Sequence, residues 1–406
     1  MNATHAKLTL SEAEEVLCPF MVPLFAESIP LERSNHRILR EPIRADRPYP
    51  SLDRVCMDGV AIKYSDWDSG IRNFEISGIA KAGVSPIKAT GVNACIEVMT
   101  GAPCPYGCDT VIPVECINIV GNTVEVHSLT KVRQGQNIQS AGSDCTIGDV
   151  LVPEGAKLNP ACAAIAASVG KDHIKVTRFP KIRMISTGDE IVTSGSRPEP
   201  WQLRGSNAMA MSTMVSDLAR IECDWAADDP IQLEKKVRWG LEDSDMLVMS
   251  GGVSAGKFDL VPDILERVGV TMLFHKLAIR PGKPIWFGIG PGGKPVFGLP
   301  GNPVSFMICF RRFAMPVLQA MAGKSADQAS FQIRLGERVR VQSGLTLFHP
   351  VKVVASRNGE RIAYSSPTNG SGDFCGLGRS DGFVEIASEM EFIPGGDYVP
   401  YFPWGD

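Results

Sequence analysis

The chain has 406 residues, a formal net charge of −4 and a hydrophobic fraction of 44%. This length predicts two to four domains, and the composition is typical of a soluble globular protein. The absence of a long basic run excludes extensive nucleic-acid binding. No uninterrupted apolar run of the roughly 18 residues that a membrane helix needs is present, nor is an N-terminal signal peptide. Eleven cysteines, an odd number, favour reduced thiols. We therefore expect a cytoplasmic protein with no membrane association.

The N-terminal segment predicts a short helix followed by an irregular hinge. Thr9 or Ser11 is the candidate N-cap, Glu14 is placed for a capping box, and the helix ends at the prolines that follow. Residues 44–54 are rich in proline and cannot continue a helix.

Two stretches of short strands flank a part in which strands and helices alternate. Between about residues 60 and 132, short alternating strands separated by Gly, Pro and Asn turns predict an inserted β domain. Residues 150–170 then return to a strand and a helix, with Asn159 as the predicted N-cap and Gly170 as the C-cap. From about residue 325 to the end, short strands predict a small β-barrel or sandwich.

Residues 180–323 alternate apolar strands with helical segments of 10–15 residues, among them PIQLEKKVRWGLED. This alternation predicts a mostly parallel sheet covered by helices on both faces. The predicted fold class is therefore multidomain α/β plus all-β.

Three glycine-rich turns follow apolar runs between residues 245 and 305: GGVSAGKFD, IRPGKP and GLPGNPVSF. Ligands of parallel sheets lie at the carboxyl ends of the strands, and small residues let backbone N–H groups approach an anion closely. Together the three turns predict a phosphorylated ligand and a divalent metal.

Several charged residues at these turns are candidates for binding. Asp259 precedes a helix, so it is a candidate Mg²⁺ ligand or a helix N-cap, and the two roles can coexist. Lys276, Arg280 and Lys283 crowd a turn stiffened by two prolines and a glycine. They predict anion binding, and the alternative is a solvated surface strand.

Other carboxylates follow strands elsewhere in the chain. Asp189 and Glu190 come after a buried strand, where they would face a metal or a ribose, or simply cap a turn. In the β insert, Asp58 precedes Gly59 at the start of a strand, and Thr100 lies in a rigid TGAP loop. Asp144 is a further candidate, and ordinary turn chemistry is the alternative for all three positions.

Seven segments, in this order, resemble the molybdopterin molybdenumtransferase family, which includes MoeA and the gephyrin E domain. They are PYPSLDRVCMDGVAI, TGAPCPYGCDTVIPVE, AGSDCTIGDVLVPEG, ISTGDEIV, SDMLVMSGGVSAGKFD, KLAIRPGKPIWFG and VFGLPGNPVSF. The resemblance extends over about residues 8–323, and more loosely over the last eighty.

The resemblance implies a protomer of four parts. These are an elongated N-terminal linker domain (residues 1–46 and 144–176), an inserted β domain (47–143), an α/β molybdopterin-binding domain (177–323) and a C-terminal β domain (324–406). It also implies a homodimer whose active site lies between the α/β domain of one chain and the β insert of the other.

The family reaction that the resemblance implies is the insertion of molybdenum from molybdate into adenylylated molybdopterin. AMP is released, and Mg²⁺ is the cofactor. A molybdopterin adenylyltransferase and molybdoenzyme-side acceptors are the further partners that it suggests.

The family's functional residues transfer to this chain motif by motif. The implied catalytic residues are Asp58, Thr100, Asp144, Glu190, Asp228 and Asp259. Asp259, Glu190 and Asp228 would also bind the metal. The implied substrate-binding residues are Gly251, Gly252, Ser254, Gly256, Lys276, Arg280, Lys283, Pro300, Gly301, Asn302 and Ser305.

Two departures from the family pattern leave an alternative function open. Arg280 stands where the family usually has lysine, and His349–Pro350 stands near the place of an arginine that reaches the oxyanion. Arg379 is one candidate replacement. The alternative is a divergent paralogue that binds molybdopterin or its nucleotide without efficient metal insertion. A third hypothesis, an adenylyltransferase acting one step earlier, is disfavoured by the β insert.

Overall fold

The computed structural model describes residues 7–253, 260–324, 331–342, 344–366, 369–387 and 391–405. The chain forms two compact units. One contains Met1–Arg40, Gly155–Asn159 and His173–Asp406, and the other contains Glu41–Glu154 and Pro160–Asp172. The bounds of the four predicted domains stay a prediction.

The smaller unit is built on a six-stranded sheet. In sheet order, its strands are Thr110–Pro113, Gly59–Ile62, Ala94–Val98, Asn73–Ala80, Thr123–Val126 and Ile117–Val120. Two small pairs join Arg54–Val55 to Ile138–Gln139 and Ile43–Arg44 to Val150–Val152. Helices span Tyr64–Asp68 and Pro160–Ser168.

The buried strand Gly59–Ile62 pairs on both sides, which explains the glycine that follows Asp58. Gly59 has φ +156°, and a Cβ there would overlap the carbonyl oxygen of Ile112 on the neighbouring strand. Only glycine allows this approach. The predicted β insert is confirmed.

The larger unit begins with helix Leu10–Leu17, followed by short 3₁₀ turns at Cys18–Phe20 and Leu31–Arg33. Thr9, one of the two predicted candidates, is the N-cap of this helix. Its capping-box partner is Glu12 and not the predicted Glu14, because the box needs the third residue after the cap. Strand Ala26–Pro30 pairs antiparallel with His173–Thr177.

The α/β part contains a six-stranded sheet. Its strands are β1 (Lys181–Thr187), β2 (Arg220–Ala226), β3 (Met246–Ser250), β4 (Thr271–His275), β5 (Trp286–Gly290) and β6 (Lys294–Leu299). The order is β2-β1-β3-β6-β5-β4. Strands β2, β1, β3 and β6 pair in parallel, and β5 runs antiparallel to both β6 and β4. A short pair joins Ile191–Val192 to Leu203–Arg204.

Helices cover both faces of this sheet. They are α1 (Asn207–Met214), α2 (Pro230–Asp243), α3 (Val261–Arg267) and α4 (Pro303–Cys309). In β3, Met246 and Val248 pack in one core with α1 and α4, whereas Leu247 and Met249 pack in the other with α2 and α3. Burial on both faces is why β3 is apolar from Met246 to Met249. The predicted mostly parallel, doubly covered sheet is confirmed.

After α4 the chain stays helical through Phe310–Ala314 and Met315–Met321. The whole run, Pro303–Met321, is long and apolar enough to be a candidate membrane span, but 83% of its window is buried inside the protein. Its apolar side chains belong to the core that covers one face of the sheet.

The C-terminal part is a closed barrel, which confirms the predicted barrel or sandwich. Its strands, in order around the barrel, are Thr346–Ala355, Arg361–Ser365, Phe331–Leu335, Tyr398–Pro403 and Gly382–Ala387, the last of which pairs back with the first. Ile279–Arg280 adds to Thr346–Ala355 in parallel. Val339–Arg340 pairs with Phe392–Ile393, and a one-turn helix spans Phe374–Leu377.

Candidate functional site

Four parallel strands end together at one edge of the α/β sheet. Thr187 of β1 lies beside Ala226 of β2, while Ser250 of β3 lies between Ser186 of β1 and Leu299 of β6. The acidic turns follow β1 and β2, and two of the glycine-rich turns follow β3 and β6. The fold thus brings together segments that are more than 100 residues apart.

Gly251 allows the chain to pass close to β1. Its φ is +96°, and a Cβ would lie 2.8 Å from Thr187 Oγ1 and 2.9 Å from Thr187 O. Its N–H donates to the carbonyl oxygen of Leu299 at 3.0 Å. The N–H is therefore used to join β3 to β6, and the glycine is needed here for backbone packing.

Asn207, which the sequence analysis did not single out, connects the turns after β3 and β6. Nδ2 donates to Ser250 Oγ at 2.9 Å and to the Gly301 carbonyl oxygen at 2.8 Å. The side chain is buried, and the Gly301 carbonyl oxygen requires a donor, which fixes the orientation of the amide. A polar residue at the first position of the helix, followed by four apolar residues, is the signal that could have identified it.

The turn after β6 leads directly into α4 and contacts the loop before the last barrel strands. Asn302 Nδ2 donates to Ser371 Oγ at 2.9 Å, and the N–H of Val304 donates to Ser371 O at 3.1 Å. Gly301 packs beside Gly251, and Ser305 is buried. The predicted residues Pro300, Gly301 and Asn302 thus form this turn, and Ser305 lies in α4 directly after it.

The acidic turns after β1 and β2 are in contact with each other. The N–H of Asp228 donates to Asp189 Oδ1 at 3.1 Å, and the Glu190 carboxylate folds back over Gly188. All three acidic side chains are exposed. The next residue, Asp229, caps α2 by accepting the N–H groups of Ile231 and Gln232 at 2.8 and 2.9 Å.

Glu190 and Asp228, two of the three predicted metal ligands, therefore follow neighbouring strands. The third, Asp259, lies outside the described residues, as do Ser254 and Gly256. Within the described ranges, no three His, Cys, Asp or Glu side chains form a group that could hold a metal ion. Metal binding by these carboxylates stays a prediction.

The predicted cationic turn after β4 is held tightly by its backbone. The N–H of Lys276 donates to Ile285 O at 2.9 Å, and the N–H of Leu277 donates to Lys283 O at 3.0 Å. Arg280 lies within the loop that these bonds close, on the short strand that pairs with the barrel. Arg280 lines a cavity beside the barrel, whereas Lys276 and Lys283 are not among its lining residues.

In the smaller unit, Asp58 and Thr100 form one hydrogen-bonded pair. Asp58 Oδ1 accepts from the N–H of Thr100 at 2.6 Å and from its hydroxyl at 2.8 Å. These hydrogen bonds lower the pKa of Asp58, so the exposed carboxylate stays ionised. Asp144 accepts from Gln139 Nε2 at 2.8 Å, within another turn of this unit. The roles of these three residues stay predictions.

Three family models match consecutive parts of the chain. They are described as "MoeA N-terminal region (domain I and II)" over residues 8–170, "Probable molybdopterin binding domain" over residues 183–320 and "MoeA C-terminal region (domain IV)" over residues 332–404.

The chain is also similar to individual proteins over nearly its whole length. It is 35% identical to a protein of Synechocystis sp. named molybdopterin molybdenumtransferase, over 92% of this chain and 94% of the relative. A protein of Synechococcus elongatus with the same name is 31% identical, over 97% and 98%. The solved structure of a molybdopterin biosynthesis MoeA protein from Pyrococcus horikoshii matches with a TM-score of 0.84 at 29% identity, over 99% of this chain and 100% of that one.

Proposed function

Because the chain belongs to the molybdopterin molybdenumtransferase family, whose members act in molybdenum cofactor biosynthesis, we propose that it inserts molybdenum from molybdate into adenylylated molybdopterin and releases AMP. The resemblance carried by the seven sequence motifs is confirmed by relatives that match almost the entire chain. The protein is accordingly an enzyme of the transferase class. The proposal itself concerns the adenylylated substrate, the use of Mg²⁺ and the roles of single residues.

The observation that carries this reaction is the meeting of acidic and glycine-rich turns at one sheet edge. Glu190 and Asp228 follow β1 and β2, and Gly251 and Gly301 follow β3 and β6. Cleavage of a phosphoanhydride requires positioned charge more than a nucleophilic side chain. Exposed carboxylates beside closely packed glycine-rich turns can position charge around a phosphoanhydride.

Glu190 and Asp228 would hold Mg²⁺ at this edge, together with Asp259. The two described side chains fit because they are exposed carboxylates, and Mg²⁺ prefers oxygen ligands and retains several waters. A bound Mg²⁺ would neutralise negative charge on the phosphates during cleavage. Asp189 would act as a positioning residue, since its Oδ1 accepts the N–H of Asp228.

A charge-removing variant and a matched control test the reaction. Purified protein is incubated with adenylylated molybdopterin, molybdate and Mg²⁺, and released AMP is measured. We expect Glu190→Gln to lose most of the activity. The control Glu199→Gln, an exposed glutamate between the strands Ile191–Val192 and Leu203–Arg204, should match the wild type. No AMP above background from a folded wild-type protein would reject the reaction.

We also propose a homodimer whose two chains complete each active site. Asp58→Asn and Asp228→Asn should each be inactive alone. A mixed dimer of the two variants would hold one site with both carboxylates intact, so mixing after subunit exchange should restore part of the AMP release. Heterodimers that form without recovery of activity would contradict a shared site. The cytoplasmic location and the adenylyltransferase and acceptor partners stay predictions.

One observation favours the alternative of a paralogue that binds without efficient metal insertion. Pro350 is buried on barrel strand Thr346–Ala355, opposite Phe383, and has no side-chain donor for an anion. Calorimetry separates the two functions: tight binding of adenylylated molybdopterin with no molybdate-dependent AMP release supports the alternative. Rapid AMP release that depends on molybdate eliminates it.

A further inference from the structure

A cavity of about 600 Å³ lies where the short strand Ile279–Arg280 joins the C-terminal barrel. Its polar lining residues are Arg280, Arg340, Gln342, His349 and Glu391, and valine and leucine side chains complete the wall. This volume lies within the range of small-molecule sites in proteins. None of these residues except Arg280 was a predicted site residue.

Among the described residues of this cavity, the two arginines carry more positive charge than the lining carboxylate neutralises. Arg280 Nη1 donates to the neutral amide oxygen of Gln342 at 3.2 Å. Arg340 Nη2 pairs with Glu391 Oε1 at 3.1 Å, and this ion pair is exposed. Within the described part of the lining, one carboxylate faces two guanidinium groups, which leaves a net positive charge. An exposed ion pair contributes little free energy, so a competing anion can displace it easily.

His349 gives a second, independent indication of an anion. Its Nε2 is buried and has no hydrogen-bond partner within the part of the chain that the structure describes. Burial lowers the pKa of the imidazole, and the nearby Glu337 carboxylate opposes this shift only in part. The ring is therefore neutral at pH 7, and a negative charge placed in the cavity would favour its protonated form.

We propose that this cavity binds a tetrahedral oxyanion through the guanidinium groups of Arg280 and Arg340. Arg340 is the second cation of this cavity. A guanidinium group matches the paired oxygens of a molybdate, tungstate, sulfate or phosphate ion better than an ammonium group does. The inference rests on the proposed function only for the identity of the natural anion.

Calorimetry on the full-length protein, with each of these four anions and without any pterin, tests the proposal. We expect Arg340→Gln to weaken binding about tenfold, which corresponds to about 1.4 kcal/mol. Arg338→Gln is the matched control, because Arg338 stacks on Phe392 at 3.5 Å and does not line the cavity. Glu391→Gln should strengthen binding, because it releases Arg340 from its ion pair.

Proton uptake gives a readout that a merely structural role would not change. Anion binding to the wild type should take up protons on the acid side of neutrality, since it raises the lowered pKa of His349. Titrations in buffers of different ionisation enthalpy measure this uptake, and His349→Gln should abolish it. The charged groups near the imidazole that could also contribute are Glu337, Arg280, Arg340 and Glu391.

The outcomes separate this inference from the proposed function. Arg340→Gln binding as tightly as the wild type, or Arg338→Gln losing as much, would overturn the cavity assignment. A failure of AMP release with the anion-binding pattern intact would reject only the proposed function. Preference for molybdate and tungstate would identify the metal oxyanion as the occupant, whereas preference for phosphate would identify a phosphate group.

Discussion

Replacing Asn207 by aspartate tests whether one side-chain amide holds two turns of the sheet edge together. Nδ2 donates to Ser250 Oγ at 2.9 Å and to Gly301 O at 2.8 Å, and the residue is only 9% exposed. Aspartate has the same shape but no donor at neutral pH. Its carboxylate would face the Gly301 carbonyl oxygen, so attraction becomes repulsion.

The expected cost follows from the two lost hydrogen bonds. Each contributes about 1 kcal/mol net to stability, so Asn207→Ala should lower the local free energy of opening by about 2 kcal/mol. Asn207→Asp should cost at least as much, because a charged carboxylate is then buried against the Gly301 carbonyl oxygen. A loss of about 2 kcal/mol corresponds to a change of about 30-fold in the opening equilibrium.

Native-state hydrogen exchange measures this opening locally, which suits a chain of several domains. The probe is the N–H of Gly251, which is bonded to Leu299 O across the same edge. We expect its exchange to accelerate about 30-fold or more in Asn207→Asp, and barrel amides to stay unchanged. Ser206→Ala is the matched control, because Ser206 makes no capping hydrogen bond. Unchanged exchange at Gly251 would refute the role of Asn207.

Three further predictions concern residues around the same sheet. Gly251→Ala should destabilise the protein by about 2 kcal/mol or more, because φ is +96° and the new Cβ would lie 2.8 Å from Thr187 Oγ1; thermal unfolding at the wild-type temperature would contradict this. Asp229→Ala should cost about 1 kcal/mol through the lost cap of α2, measured by urea unfolding, and a variant as stable as the wild type would count against that cap. Asp245→Asn should cost about 2 kcal/mol at pH 7: burial raises the pKa of Asp245, but hydrogen bonds from Arg178 at 2.5 and 2.7 Å outweigh this and hold the pKa below its ordinary value. The stability contributed by the Asp245 carboxylate is complete above the unfolded pKa of about 4 and is lost as the pH falls through the lower folded pKa. The stabilities of variant and wild type should therefore converge in acid. A constant difference down to pH 2 would contradict a role of the ionised carboxylate.

The architecture could be predicted from the sequence because it depends on local patterns. The helix Pro230–Asp243 was predicted with its observed bounds, since proline favours its first turn and an aspartate precedes it. Buried strands such as Met246–Ser250 stand out as apolar runs that end in glycine. Parallel topology then places the ends of successive strands at one edge, whatever their side chains contact.

Some predicted details were wrong or untestable for equally local reasons. Glu14 was predicted as the capping-box partner of the first helix, but the box geometry requires Glu12. The three glycine-rich turns were predicted to bring backbone N–H groups close to an anion, and in the turn after β3 the N–H of Gly251 is bonded to Leu299 O; substrate binding by Gly251 stays a prediction. A glycine pattern indicates close backbone approach but does not say whether the approaching group is a ligand or a neighbouring strand.

The sequence by itself determined the family, the order of the domains and the chemistry available at the strand ends. Only the tertiary structure decided which side chains meet. Asn207 contacts Gly301 across 94 residues, and Asp189 contacts Asp228 across 39. Arg280 shares a cavity with Arg340 and His349 of the barrel. Such contacts depend on strand register and on the packing of whole elements, which leave no periodic signal in the residues themselves.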